Sequence, residues 1–408
     1  MKNPLKQLVK KDKKFKAIYE KGKQDGFYIH AIAELPKQWA NMSSDEVEER
    51  SPYLPICSLS ETERIISPSN TSDVLLKYRA DSILSNIRIT RTFERRALTV
   101  EEDKWTLTDQ FNDKIFSEFA ESISPEFKRR VNEVVFGTLF ADRPNAYCVK
   151  TQFGPLIIFS EALYNYLYFL TISTSRHWTA FKTDVQPRTE EYSLLIAIRT
   201  MMLKESFDFE MDPRGEPPQY LNALIKRVVK YEMLFVIAHE FAHFLLGHLN
   251  DNNFRTENLF LELPSEENPK QLVVTFYNVS QKQEFEADRL AIDILKSSND
   301  IGQVLLYAVS ALSKIKVFES FANVIRKRTT ESSHPSTLER REELLKIAKG
   351  VWTKEEHETY EGLNQLLSNY EKALNRLYKR QPSAFTDYGS MYLDQWRKGR
   401  PKVDRLDY

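Results

Sequence analysis

This chain of 408 residues has little cysteine, little glycine and no excess of charge of either sign. Its two cysteines, Cys57 and Cys148, are too few for a disulfide framework, which fits a reducing compartment. Lys plus Arg and Asp plus Glu number 58 each, so no basic excess indicates a nucleic-acid partner. Only 11 residues are Gly and 12% are aromatic, which favours an ordered, helix-rich chain over a disordered one.

Long apolar runs are lacking as well. No apolar run follows the lysines near the N-terminus, and every window of about 18 apolar residues contains a charge. We therefore expect no secretory signal, no transmembrane segment and a cytoplasmic location. The basic segment 1–23 could lie on an anionic membrane as an amphipathic helix. Asp12 interrupts its apolar stripe, so a solvated helix that docks on the protein is the preferred interpretation.

The pattern along the chain predicts a helix-rich α+β fold with a small sheet and three regions. Residues 1–110 form a mixed region of unknown role, in which Pro, Ser and Asn clusters indicate irregular structure with some strands and helices. Residues 111–350 form the principal domain, and residues 351–408 form a C-terminal helix and tail. The tail either docks on the core or reaches over a cleft.

Two segments of the principal domain bear on the position of the sheet. Residues 125–140 are predicted to be a helix that begins after Ser124. The apolar run Leu156 to Phe159 predicts a strand, and Ser160 is suited to cap the helix that follows. This strand either lies at an edge, where it can pair with an extended peptide, or lies inside the sheet.

The stretch that carries chemistry is 231–249, YEMLFVIAHEFAHFLLGHL. Its apolar spacing predicts a buried helix, in which His239 and His243 project from one face. With Glu240 between them they form an HExxH pattern, which is typical of a zinc site whose Glu reaches an activated water. Two hydrogen-bonded core histidines are the alternative. His248 is assigned a surface or capping role, because three protein ligands and water fill a catalytic zinc site.

A catalytic zinc ion needs a third protein ligand, which the segment 281–295 supplies best. On a helix, Glu284 and Asp288 share one core-facing stripe, and two buried carboxylates require cationic partners. We choose Glu284 as the third ligand. Asp288 is predicted to accept the second ring N–H of a ligating histidine. The alternative is a solvated charge cluster.

These motifs resemble those of the HtpX and CaaX prenyl protease group of zinc metallopeptidases, a gluzincin lineage. That group carries HExxH, an ExxxD helix and then a His-Pro motif followed by Arg; the matching residues here are HEFAH at 239–243, EFEAD at 284–288, His334-Pro335 and Arg340. The segment 145–163 resembles the edge strand and the following helix of the group. The resemblance covers about residues 140–350 and implies a zincin-like core whose edge strand holds the substrate backbone. The short gap between HExxH and Glu284 is also similar to that of ImmA/IrrE-type and Lit-type peptidases, which are cytoplasmic.

The sequence therefore predicts a zinc-dependent endopeptidase that hydrolyses peptide bonds of a protein substrate in the cytoplasm. Glu240 is the predicted general base. His334 and Arg340 are candidates to stabilise the oxyanion; alternatively, His334 precedes a helix start and Arg340 lies on an exposed face. Two other functions stay open, namely a toxin-like or regulatory peptidase (phage exclusion or stress switch) with a single protein target, and a non-catalytic metal-binding interaction protein. The sequence leaves the substrate and the oligomeric state open.

Overall fold

The computed structural model describes most of the chain beyond the N-terminal segment. The described residues are 49–50, 52–100, 104–140, 145–178, 185–203, 209, 213–248, 254–256, 275–277, 281–296, 300–326, 337–386 and 391–397. The basic segment 1–23 and the His334-Pro335 motif lie outside the described residues, and so do the predictions made for them.

The described residues form a helix-rich α+β fold. The α-helices are, in chain order, α1 Leu59–Ile66, α2 Thr71–Leu84, α3 Ile87–Ala97, α4 Lys114–Ser122, α5 Pro125–Val131, α6 Glu161–Ser173, α7 Pro187–Leu203, α8 Gln219–Leu245, α9 Gln281–Leu295, α10 Ile301–Arg326, α11 Thr337–Ala348, α12 Lys354–Arg380 and α13 Ser383–Thr386. The strands are β1 Val135–Leu139, β2 Ala146–Thr151, β3 Gly154–Ser160, β4 Phe254–Thr256 and β5 Thr275–Tyr277. This outcome confirms the predicted fold class at its coarse level.

The strands form one mixed sheet in the order β1-β3-β2-β5-β4. Strand β1 runs parallel to β3, and β2 runs antiparallel to β3 along its whole length. Strand β5 meets β2 at a single pair, Lys150 with Thr275. The run Leu156 to Phe159 therefore lies inside the sheet, between β1 and β2, which selects the interior position from the two alternatives that the sequence left open.

The helix predicted over 125–140 was also wrong in its second half. Helix α5 ends at Val131, and β1 begins at Val135. β-Branched and aromatic residues at this point favour a strand once a partner is present, and β3 is that partner, more than 20 residues away along the chain. At Gly137 a Cβ would lie 2.4 Å from the Leu75 side chain, so helix α2 approaches the strand closely.

The described part of the N-terminal region is helical rather than mixed, and residues 52–100 contain no strand. Its Ser and Asn clusters are helix caps. Ser58 and Glu61 form a capping box at the start of α1, and the Asn70 side chain accepts from the Asp73 N–H at the start of α2. These Ser and Asn residues mark the beginning of helices rather than irregular structure.

The sheet lies between helix α2, from the N-terminal region, and helix α8, from the principal domain. Alternate residues of a strand point to opposite faces. On one face Leu156 and Ile158 pack with Val74, Leu75 and Tyr78 of α2. On the other face the strands join the main core, to which α6, α8, α9 and α10 contribute. Helix α2 thus covers the face of the sheet opposite to the one that contacts α8. The predicted domain boundary at residue 110 stays a prediction.

The C-terminal elements pack on the same core. Phe385 and Leu393 are fully buried in it, and the Leu393 N–H donates to the Arg214 carbonyl at 2.7 Å. The described part of the tail therefore docks on the core. Within α10, residues 301–321 are long and apolar enough to cross a membrane, but 67% of that window is buried inside the protein, as in a core helix. The expected lack of a membrane span stays a prediction.

Candidate metal centre

Helix α8 presents two imidazoles to one buried point. His239 and His243 lie one turn apart on the same face, and they are 6% and 5% exposed. Their rings are perpendicular, and their Nε2 atoms are 3.1 Å apart. The helix ends at Leu245, and Gly247 follows in the left-handed region with φ 71°, where glycine carries no steric penalty.

Helix α9 brings a carboxylate to the same point. One Glu284 oxygen, Oε2, lies 3.3 Å from His239 Nε2, and the other, Oε1, lies 3.8 Å from His243 Nε2. A tetrahedral zinc ion with bonds of about 2.0–2.1 Å holds neighbouring donor atoms about 3.3 Å apart. The separations of 3.1 and 3.3 Å match that requirement, the 3.8 Å separation to Oε1 is wider, and all three residues are buried. The His239, His243 and Glu284 group can therefore hold a metal ion.

Asp288 and Arg340 surround this group. Asp288 Oδ1 lies 2.9 Å from His239 Nδ1, which is the contact expected of a residue that orients a ligating ring. Arg340 on α11 makes a two-point contact with Asp288, at 2.8 and 2.7 Å, and its Nη1 lies 2.9 Å from Glu284 Oε2. The Arg340 side chain is only 18% exposed, so its placement on an exposed face was wrong. It is the cation that the two buried carboxylates require.

The charges of these residues set the protonation of the two imidazoles. Burial and the Arg340 guanidinium lower the pKa of His239, but the Asp288 and Glu284 carboxylates outweigh them and raise it to about 9. Burial and the neighbouring His239 lower the pKa of His243 well below its usual value. Two rings this close are not both positively charged, because adjacent imidazolium ions repel each other. A metal ion that binds here must displace the proton that His239 carries.

Glu240 lies beside the group and contacts the sheet. The Cys148 N–H of β2 donates to its carboxylate. Burial raises the pKa of Glu240, His239 lowers it and Glu284 raises it, with a net rise. A carboxylate with a raised pKa is a stronger base. The arrangement therefore places a base between the candidate metal ligands and strand β2.

His248 is buried, 7% exposed, so the surface position expected from the sequence was wrong. Its Nδ1 lies 2.8 Å from His243 Nδ1. Its Nε2 lies 3.7 Å from a Glu286 oxygen, which is beyond hydrogen-bond distance. His248 therefore contacts the side of the His243 ring that faces away from Glu284.

Sequence reasoning placed His239, Glu240, His243, Glu284 and Asp288 together, and it missed three contacts. The first is the pairing of the Arg340 guanidinium with Asp288 and Glu284; the candidate role of Arg340 at an oxyanion stays a prediction. The contact between the Cys148 N–H and Glu240 can be predicted only when the register of β2 is known. The spacing of five between His243 and His248 does not fit one helix face, so only the end of α8 reveals their contact.

Comparisons with protein-family models, curated proteins and solved structures found no match to this chain. Its similarity to the HtpX and CaaX prenyl protease group consequently rests on the motif residues alone.

Proposed function

We propose that the chain is a zinc-dependent endopeptidase with a zincin-like core, which hydrolyses peptide bonds of a protein substrate in the cytoplasm. The observation that carries the proposal is the buried His239, His243 and Glu284 group with Glu240 beside it. Three protein ligands are typical of a catalytic zinc site, which keeps one position for water or substrate. Closed structural sites have four protein ligands and often use Cys.

The donor set favours zinc. Two imidazole nitrogens and one carboxylate suit this ion, and their spacing fits its tetrahedral geometry. When bound, zinc supplies Lewis acidity, which polarises a carbonyl and lowers the pKa of water toward about 7. The contact between His239 Nδ1, the ring nitrogen that does not face the metal site, and Asp288 fixes the orientation of this ligand ring.

The protein itself supplies the base and the proton path. Glu240 takes a proton from the attacking water and delivers it to the leaving amine. Its contact with the Cys148 N–H holds the carboxylate beside β2, and its raised pKa suits it to both transfers. Glu240 thus acts as the general base and then as the general acid.

Strand β2 is the element that suits the substrate backbone. Within the described residues it pairs with β5 at Lys150 alone, whereas β3 covers its other side completely. An extended peptide that adds a strand beside β2 would lie close to Glu240, which accepts the Cys148 N–H at this side of the strand. Arg340, held by Asp288 and Glu284, positions those acids in this scheme.

The decisive experiment compares wild type with Glu240→Gln in casein cleavage and in N-terminal peptide profiling of expressing cells. Glu240→Gln should keep zinc, because its ligands are intact, and lose cleavage by about 10²–10⁴-fold, as expected for a general base. Glu121→Gln on the exposed face of α4 is the matched control and should cleave normally.

Retained proteolysis by Glu240→Gln would refute the base assignment. Wild-type protein that holds zinc and cleaves nothing would instead favour a non-catalytic metal-binding protein. Toxicity on expression that disappears in Glu240→Gln would favour a regulatory peptidase with one protein target.

A further inference from the structure

Each of the two imidazoles of the metal centre has a partner on its second nitrogen, and the two partners differ in chemistry. His239 Nδ1 lies 2.9 Å from a carboxylate oxygen of Asp288. His243 Nδ1 lies 2.8 Å from the Nδ1 atom of His248, another imidazole. The first partner was expected from the sequence. The second has no role in the proposed cleavage, and it rests on a residue outside the HExxH motif.

The contact between the two Nδ1 atoms has only one arrangement that is compatible with metal binding. His243 Nε2 faces His239 Nε2 and Glu284, so this nitrogen must be bare to serve as a ligand. The hydrogen of the neutral ring then sits on Nδ1, which becomes a donor. At 2.8 Å, His248 Nδ1 must accept it and therefore carries its own hydrogen on Nε2. His248 Nε2 lies 3.7 Å from a Glu286 carboxylate oxygen.

The local backbone explains how a residue five positions along reaches the ring. Continued helix would carry residue 248 away from the face that bears His243. Helix α8 instead ends at Leu245, and the Gly247 N–H donates to the Phe244 carbonyl at 3.1 Å. With Gly247 at φ 71°, the chain turns back and places His248 against His243 in a buried position.

We propose that His248 is a positioning residue of the metal centre, which accepts the His243 Nδ1–H and so fixes the tautomer and the angle of that ligand ring. This inference rests on the proposed function, because it assigns His243 as a ligand. It extends the general rule that ligating histidines donate their second N–H to a fixed acceptor. Here the acceptor is a neutral ring rather than a carboxylate. The two ligand rings therefore differ in the charge of the group that contacts their Nδ1 atom.

The alternative role for His248 is that of a buried side chain whose hydrogen-bonding atoms happen to be satisfied. That role predicts an effect on stability alone. The positioning role predicts an effect on zinc affinity that depends on an acceptor at the Nδ1 position. Asn and Leu have nearly the same shape, and Asn Oδ1 occupies about the place of His Nδ1, so the two substitutions separate these roles.

The experiment uses the full chain as wild type, His248→Asn and His248→Leu. The zinc dissociation constant is measured by competition with a chromophoric chelator, and the visible spectrum is recorded after cobalt substitution. His248→Leu should bind zinc about 10–100-fold more weakly, the range for loss of such an acceptor, and should alter the cobalt spectrum. His248→Asn should recover most of the affinity and the wild-type spectrum.

Equal zinc affinity in His248→Leu and wild type would overturn the proposal, and so would an equal loss in Leu and Asn. If His248→Leu does not fold, nitrogen-15 NMR of the zinc-loaded wild type decides, because it reports which ring nitrogens carry hydrogen. We expect a bare Nδ1 and a protonated Nε2 in His248; the reverse would overturn the proposal. None of these measurements depends on cleavage. Wild type that binds zinc but cuts no protein would defeat the peptidase proposal alone.

Discussion

At the scale of single residues, three buried carboxylates in the described part of the chain are met by several donors or by a shared cation. Arg340 serves both Asp288 and Glu284 at the metal centre. Asp73, in the first turn of α2, is 1% exposed and accepts from Arg64 Nε at 2.7 Å and from the Ser69 N–H at 2.9 Å. Such bonds recover the free energy that the carboxylate loses when it leaves water.

Asp73 gives a prediction about acid stability. Burial raises the pKa of this carboxylate, but the bonds from Ser69 and Arg64 outweigh burial and lower the pKa below its ordinary value of 3.8. A group with a lowered pKa in the folded state stabilises the fold above its unfolded pKa, and this contribution disappears as pH falls through the folded pKa.

Asp73→Asn should therefore lower the free energy of unfolding by about 1.5–3 kcal/mol at pH 7, the range for bonds to a charged group. The difference from wild type should stay constant down to about pH 4 and shrink below it. Urea unfolding between pH 7 and pH 3 measures this difference. The exposed control Glu121→Gln should show neither effect, and a difference that grows toward acid pH would contradict the assignment.

At the scale of secondary-structure elements, a buried ion pair connects helix α8, which carries the candidate metal ligands, to helix α10. Glu232 lies on α8 two turns before His239, and its Oε1 is 2.5 Å from Lys314 Nζ of α10. Both side chains are fully buried, and Ser310 and Thr171 add hydrogen bonds to the pair at 2.6 and 2.7 Å. The pair joins α8 to α10 two turns before the HExxH residues.

Lys314→Met should destabilise the protein by about 3–5 kcal/mol, because it leaves the Glu232 carboxylate buried without its cation. Lys316→Met is the matched control on the same helix. Its ammonium contacts Glu371 at 3.0 Å with both side chains partly exposed, so its loss should cost no more than about 1 kcal/mol.

Urea unfolding of both variants measures the comparison. A double substitution, Glu232→Leu with Lys314→Met, should recover much of the stability, since an apolar pair of similar volume carries no desolvation penalty. Equal losses for Lys314→Met and Lys316→Met would show that the buried pair contributes no more to stability than the partly exposed one.

At the scale of the whole molecule, the metal centre joins helices that are far apart along the chain. His239 lies on α8, Glu284 on α9 and Arg340 on α11, and the sheet brings Cys148 to the same place. An ion that binds only the folded arrangement stabilises it by mass action. Zinc binding and the stability of the whole domain should therefore be coupled.

Zinc at about 100 times its dissociation constant should stabilise the chain by about 2.7 kcal/mol and raise its melting temperature, and a chelator should reverse the rise. Glu284→Gln removes one ligand and should lose most of this response. Asp293→Asn is the control on the same helix, because Asp293 is 54% exposed and contacts Lys296. Differential scanning calorimetry with and without zinc compares them. A full response in Glu284→Gln would exclude Glu284 from the ligand set.

Sequence reasoning succeeded where the interacting residues are close along the chain and failed where they are far apart. His239, Glu240 and His243 lie within one turn of helix, and Glu284 and Asp288 lie within another, so helical periodicity alone predicted their shared faces. It failed at β1, where pairing with β3 overrode a helical pattern. It left the position of Leu156 to Phe159 open between an edge and the inside of the sheet, because the neighbours of a strand are set by the whole sheet.

The sequence by itself determined the helix-rich α+β class, the buried HExxH helix and the acids that lie beside it, because each depends on spacings of three or four residues. Only the tertiary structure decided that Arg340 holds Asp288 and Glu284, that Cys148 contacts Glu240, and that His248 turns back onto His243. These contacts join separate elements or depend on where a helix stops. Their geometry is fixed by packing in three dimensions, which the order of residues does not show locally.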